Sequence, residues 1–163
     1  MRMQKIYFRP ERCDGCRACE LACMEKHSQT QSVFMAGLEQ PSPLPRIKVE
    51  KSGTQYGAVV CQHCIEAMCV EACMTGAMQY SETGNVYHNT QQCVGCWMCV
   101  MVCPFGAVVP LAEAKKAGKC NLCEDETIPP CVLACPRQAL WYLSPEEYEM
   151  KVAGDGHALP DHW

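Results

Sequence analysis

Sixteen cysteines in four groups of four set the narrowest limits on what this chain can become. The groups are Cys13, Cys16, Cys19, Cys23; Cys61, Cys64, Cys69, Cys73; Cys93, Cys96, Cys99, Cys103; and Cys120, Cys123, Cys131, Cys135, and every cysteine of the chain belongs to one of them. The first and third groups are spaced C-x2-C-x2-C-x3-C. The second widens its middle gap to four residues and the fourth to seven, while both keep the outer C-x2-C and C-x3-C. Such a cysteine content in 163 residues leaves two classes open, a disulfide scaffold or a chain whose thiolates bind metal. A secreted disulfide protein should begin with a signal peptide. Met1 to Arg12 instead carries charges at Arg2, Lys5, Arg9, Glu11 and Arg12 and has no apolar run. The expected setting is a reducing cytoplasm.

The spacing has a chemical reason. Three cysteines at successive C-x2-C intervals can wrap one face of a 4Fe-4S cubane, and the fourth corner must come from elsewhere. Pro104 follows the third group and completes the run found in bacterial ferredoxins, in which the last cysteine serves the other cluster; Pro136 follows the fourth. Gly15, Ala18, Gly95 and Gly106 would let backbone approach inorganic sulfide closely. Structural zinc, the main alternative, predicts two C-x2-C pairs per site, not three successive cysteines at that spacing. A thioredoxin-type disulfide needs one C-x-x-C, not four groups. Four 4Fe-4S clusters are therefore expected, and they would carry the formal charge from -4 to roughly -12. No basic patch suggests nucleic acid.

The fold expected is α+β, with two pseudo-symmetric bacterial-ferredoxin-like lobes of short helices and β-hairpins around the four clusters. Residues 1–143 would form this domain, followed by a short helix and tail over 144–163. A strand is expected at Lys5 to Arg9, a helix from about Cys19 to His27, and a closing strand at Ala139 to Leu143. A hairpin should run from Ala77–Tyr80 through Ser81–Asn85 to Val86–His88. Ser28 to Val60 links the first two groups, with a break at Pro41-Ser42-Pro43-Leu44-Pro45 and an exposed strand at Arg46 to Lys51. Its Phe34, Met35 and Leu38 could dock a partner, although packing over a cluster is the use expected first. Ser144-Pro145-Glu146-Glu147 is a capping box for a helix that Gly154 should end, and the residues through Trp163 read as a partner-dependent tail. Cys93 to Ala112 has no charge, yet its four cysteines, Gly95, Gly106, Pro104 and Pro110 argue for burial against clusters rather than a membrane span.

The chain as a whole resembles the four-cluster electron-transfer subunits of molybdenum oxidoreductases, hydrogenases and carbon monoxide dehydrogenases. Cys16-Arg-Ala-Cys19-Glu-Leu-Ala-Cys23, Glu25-Lys26-His27-Ser28 and Pro43-Leu-Pro-Arg46-Ile-Lys-Val49-Glu50 are similar to the CooF-type iron-sulfur protein of carbon monoxide dehydrogenase. Cys61-Gln-His63-Cys64 and Cys99-Val-Met-Val-Cys103-Pro-Phe-Gly fit the same type. The resemblance implies a nested pairing of groups, with lobe one from about 1–52 plus 113–143 and lobe two from about 53–112: Cys13, Cys16, Cys19 and Cys135 around one cluster, Cys120, Cys123, Cys131 and Cys23 around its neighbour. In the other lobe it implies Cys61, Cys64, Cys69 with Cys103, and Cys93, Cys96, Cys99 with Cys73. It also implies a non-catalytic electron carrier. The donor would be carbon monoxide dehydrogenase, and the acceptor a hydrogenase or flavin-dependent NAD oxidoreductase. The alternative is a subunit of a formate dehydrogenase or hydrogenase complex.

Several other residues stand close to the cysteines. Met24 and Met74 follow Cys23 and Cys73 where the other groups have proline, so looser turns are expected there. His63 is expected to be a hydrogen-bonding loop residue rather than a ligand. Trp97 and Phe105 should shield a cluster from water, and Arg12, Arg17, Lys119 and Arg137 could raise nearby potentials. Glu124-Asp125-Glu126 reads as an exposed loop. No serine-histidine-aspartate set, phosphate loop or dinucleotide fingerprint marks an active site.

Overall fold

A computed structural model describes residues 4–154; the first three residues and the expected tail through Trp163 lie outside the described residues. The architecture is four separate antiparallel pairs of strands carrying short helices. Strand β1 (Lys5–Phe8) pairs with β8 (Leu140–Leu143), joining the two ends of the cysteine repeat, with Lys5 opposite Leu143 and Phe8 opposite Leu140. Strands β2 (Lys48–Ser52) and β3 (Gln55–Val59) form a hairpin around a two-residue turn at Gly53-Thr54, where Gly53 takes φ +60°. The expected hairpin is present as β4 (Met78–Tyr80) and β5 (Val86–His88). A fourth, β6 (Val108–Leu111) with β7 (Lys116–Lys119), runs through part of the charge-free stretch. No helix among the described residues is long and apolar enough to cross a membrane.

The helices are short: α1 (Ala18–Lys26), α2 (Val33–Ala36), α3 (Met68–Glu71), α4 (Met98–Val102), α5 (Pro130–Leu133) and α6 (Pro145–Gly154). The capping box forms, since the Ser144 N–H donates to the Glu147 carboxylate at 2.8 Å and the Glu147 N–H donates to Ser144 Oγ at 3.3 Å. Tyr148 of α6 stacks on Tyr7 of β1 at 3.9 Å between ring centroids, and Lys151 lies over the Trp141 ring, so α6 is fastened to the β1–β8 pair.

Two hydrophobic cores result. Ile6, Ile47, Val49, Val60, Leu122 and Leu140 form the first, together with Cys19, Cys23 and Cys131. Met78, Val108, Ala117 and Cys99 form the second, with Cys69, Cys73, Cys93 and Cys103 packed against it. Cysteines of the first and last groups thus share one core, and those of the middle groups share the other. The divisions expected near residues 52 and 112 fall in the turns of the β2–β3 and β6–β7 hairpins.

The linker differs from expectation in one respect. Phe34 and Leu38 are 92% and 73% exposed and Met35 is half exposed, so these side chains do not pack over a cluster position. The linker is held by Glu39 instead. Its carboxylate accepts from Ser28 Oγ, Thr30 Oγ1 and the N–H groups of Gln29 and Thr30, bonds that pull its pKa down to about 2. These contacts close the loop that carries Phe34, Met35 and Leu38. The acidic run also has a partner, because Lys26 Nζ of α1 bridges Asp125 at 2.5 Å and Glu126 at 2.6 Å.

Candidate iron-sulfur centres

Each cysteine group opens on a loop with one shared backbone feature. The residue before the second cysteine has positive φ in all four: Gly15 at +75°, His63 at +45°, Gly95 at +73° and Leu122 at +59°. A left-handed residue there reverses the chain between the first two cysteines, so both thiols can face the same side. Where the residue is glycine, a side chain would not fit. A Cβ on Gly15 would lie 2.3 Å from the Tyr56 ring, and one on Gly95 would lie 2.4 Å from the carbonyl oxygen of Lys115. Gly95→Ala should therefore cost the left-handed penalty of about 1–2 kcal/mol and a backbone clash besides. Gly106→Ala, at φ +62° with nothing within 4 Å, should cost only the first. Thermal melts of the loaded protein that ranked Gly106→Ala as the more damaging would contradict this geometry.

The groups end alike as well. The last cysteine of each accepts a backbone N–H on its sulfur: Cys73 from Met78 at 3.4 Å, Cys103 from Ala107 at 3.4 Å, Cys135 from Ala139 at 3.2 Å, and Cys23 from Arg46 at 3.1 Å. After Cys73, Cys103 and Cys135 a tight turn closes from the carbonyl to the N–H three residues on, at Gly76, Gly106 and Gln138. Met74 does not loosen its turn. Met24 has a different consequence: with no proline after Cys23, α1 continues to Lys26, and the donor to Cys23 comes from the distant Arg46.

The cysteines meet around cavities. Cys13, Cys16, Cys19 and Cys135 line one, between Phe8, Val49 and Leu140. Cys61, Cys64, Cys69 and Cys103 line a second, with His63, Val86, Phe105 and Lys119. Cys73, Cys93, Cys96 and Cys99 line a third, with His88 and Trp97. Cys131 has Cys120, Cys23 and Cys123 as electrostatic neighbours, which brings the remaining four together. Neighbouring sets lie within electrostatic reach of one another in turn: Cys131 of Cys19, Cys120 of Cys61, and Cys99 of Cys69. They form a row in which the Cys13 set and the Cys93 set are the ends. The two exposed cysteines, Cys16 and Cys96, belong to those end sets, whereas Cys23, Cys123 and Cys131 are buried in the interior.

None of the sixteen cysteines is in a disulfide. Burial pushes Cys19, Cys99 and Cys123 up to about 11 and Cys120 up to about 12, and it raises Cys131 as well. At Cys73 burial is the largest influence and pushes upward, but hydrogen bonds from the backbone of Met78, Ala77 and Thr75 and from the Thr75 hydroxyl together leave the thiol lowered. Buried thiolates on this scale need compensating positive charge, which iron supplies. Four thiols disposed around a cavity suit a multinuclear core.

Several buried nitrogens find no protein acceptor: Nε2 of His63, on the second cavity, and Nε2 of His88 and Nε1 of Trp97, on the third. Donors left over beside a cavity fit a group rich in sulfur acceptors. His63 is 1% exposed; burial first, then the charges of Lys119 and Lys5, push its pKa down to about 3. Lys119 is itself buried, donating to the carbonyls of Val86 at 2.5 Å and Cys120 at 2.8 Å, and so stands where the second cavity meets the Cys120 set. Its place could not be read from the sequence, where it is one lysine among several near cysteines. Arg17 and Arg137 remain largely exposed, and Phe105 is 42% exposed on the rim of its cavity.

Cysteine-lined cavities carried on hairpins, with backbone N–H groups on their sulfurs, define an iron-sulfur electron-transport protein of the ferredoxin kind. Residues 53–144 match the family model described as a 4Fe-4S dicluster domain. The chain belongs to that family of ferredoxin-type electron-transport proteins. It is 38% identical over 141 residues to the putative electron transport protein YsaA of Escherichia coli, covering 85% of this chain and 88% of that one. It is 37% identical over 145 residues to the electron transport protein HydN of the same organism, covering 79% and 81%. It is also 41% identical over 143 residues to the putative oxidoreductase AegA of that organism, where 83% of this chain spans only 21% of the larger protein.

Proposed function

We propose that the chain binds four 4Fe-4S clusters and carries single electrons between two protein partners without substrate chemistry of its own. The ligand sets would be Cys13, Cys16, Cys19 and Cys135; Cys120, Cys123, Cys131 and Cys23; Cys61, Cys64, Cys69 and Cys103; and Cys93, Cys96, Cys99 and Cys73. A bound cubane takes up and gives back one electron. The protein's own contribution is to hold each set of thiolates, to donate N–H groups to them, and to keep water from the Cys13 and Cys120 sets behind Ile6, Val60, Leu122 and Leu140. The observation that carries this reading is the row of four cysteine sets with its exposed cysteines at the two ends. A row with two open ends suits a bridge between a donor and an acceptor. That AegA, much longer and named an oxidoreductase, contains a region similar to this chain supports the same role beside a catalytic unit.

For the donor, the stretch from Cys16 to Glu50 favours carbon monoxide dehydrogenase, with a hydrogenase or flavin-dependent NAD oxidoreductase as acceptor, in the cytoplasm. The alternative donor is a formate dehydrogenase or hydrogenase. Anaerobically prepared protein should hold roughly sixteen irons and sixteen sulfides. Mixed with carbon monoxide and a catalytic amount of a cognate dehydrogenase, it should bleach in the visible range. A colourless, zinc-rich preparation would refute the cluster assignment. Bleaching with formate and formate dehydrogenase, but not with the carbon monoxide system, would move the partner to the alternative.

A further inference from the structure

In two of the four loops the left-handed position before the second cysteine is glycine, the inexpensive choice. In the other two it is His63 and Leu122, each about 1% exposed. A non-glycine residue in that conformation costs about 1–2 kcal/mol, so its side chain must return something. Leu122 returns hydrophobic contact in the first core. His63 has no such explanation, because an imidazole buried this deeply should have both nitrogens bonded.

One of them is. The Val86 N–H donates to Nδ1 of His63 at 3.2 Å, and Val86 is fixed from its other side by Lys119 Nζ on its carbonyl at 2.5 Å. A ring that accepts at Nδ1 and is neutral carries its proton on Nε2. Nε2 is buried without any acceptor, and His63 lines the cavity of Cys61, Cys64, Cys69 and Cys103. We propose that His63 donates its Nε2–H to a sulfur of the cluster in that cavity and thereby raises the reduction potential of this one cluster. This rests on the cluster assignment proposed above. His63 is a positioning and tuning residue, not a ligand: the cavity already has four thiols, and the proton on Nε2 blocks its lone pair. A hydrogen bond to sulfur favours the reduced, more negative cluster, so its loss disfavours reduction.

The experiment begins with an iron count of roughly sixteen and the resonance signals of the reduced protein, which test the cluster assignment by themselves. Potentiometric titration of His63→Leu should then move one reduction step of four to lower potential by about tenfold in equilibrium constant, or about 59 mV. His63→Gln, whose amide can accept from Val86 and still donate, should restore most of the shift. In wild-type protein with 15N-labelled histidine, pulsed resonance should find a weak nitrogen coupling that vanishes in His63→Gln. Full iron in His63→Leu with all four steps unmoved would overturn the proposal. So would the absence of that coupling, or a coupling as strong as direct ligation. Should His63→Leu fail to load iron, the wild-type coupling decides the matter alone.

Discussion

Cys135→Ala and Cys13→Ala should alter one and the same cluster signal, although the two residues stand at opposite ends of the cysteine repeat. Both line the cavity closed by Phe8, Val49 and Leu140, and the β1–β8 pair holds their loops together. Each variant should lose up to about four of roughly sixteen irons, and the double variant should lose no more than either single one. Cys120→Ala should affect a different signal, shared with Cys23→Ala, since Cys120 and Cys23 are neighbours in the other set of that core. The measurement is electron paramagnetic resonance of the reduced variants, with iron analysis. If Cys135→Ala and Cys120→Ala changed one signal while Cys13→Ala changed another, the pairing of distant groups would be wrong.

Removing the iron should abolish the cooperative fold. Beside its cysteines the second core has Met78, Val108 and Ala117, with Val70 and Val100 packed against them, and a core of this size cannot offset the ordering of residues 61–120. Without iron the thiols face empty cavities, and the helices that carry them are one or two turns long, below the length at which helices persist alone. Chelation under reducing, anaerobic conditions should erase the thermal transition. Amide protection should disappear first in the β4–β5 and β6–β7 hairpins and later in β1–β8, which retains Ile6, Leu140 and the Tyr7–Tyr148 stack. An iron-free protein that still melted sharply would show that the polypeptide alone carries the fold.

The chemistry-bearing residues were legible because cubane ligation imposes a spacing, and β1, α1, the β4–β5 hairpin, β8 and α6 were legible because alternation, turn residues and a capping box mark them. Two hairpins were not. Strand β3 reads Gln55-Tyr-Gly-Ala-Val59, too weakly patterned to be distinguished from linker, and β7 reads Lys116-Ala-Gly-Lys119, whose glycine and lysines argue against a strand until Gly118 is seen packed against Arg46 and Val109. In the linker Phe34 and Leu38 are apolar, and of the two uses expected for them packing over a cluster is not found, since both side chains are exposed. His63 and Lys119 acquire meaning through Val86, which hydrophobic periodicity cannot connect to either.

The pairing of β1 with β8 also sets a timetable for manufacture. On the ribosome the middle groups and their hairpins are complete once Lys119 has emerged, so the second core can close while the chain is still growing. Cys13, Cys16 and Cys19 are made first, yet they wait for Cys135 and for Leu140–Leu143, on the order of ten seconds at ordinary rates of translation. For that interval the earliest thiols of the protein are the least protected. A cell making this chain in the presence of oxygen or surplus zinc would spoil the Cys13 set, and Cys23 beside it, before the sets of the second core, so faulty molecules should be missing the same end of the row.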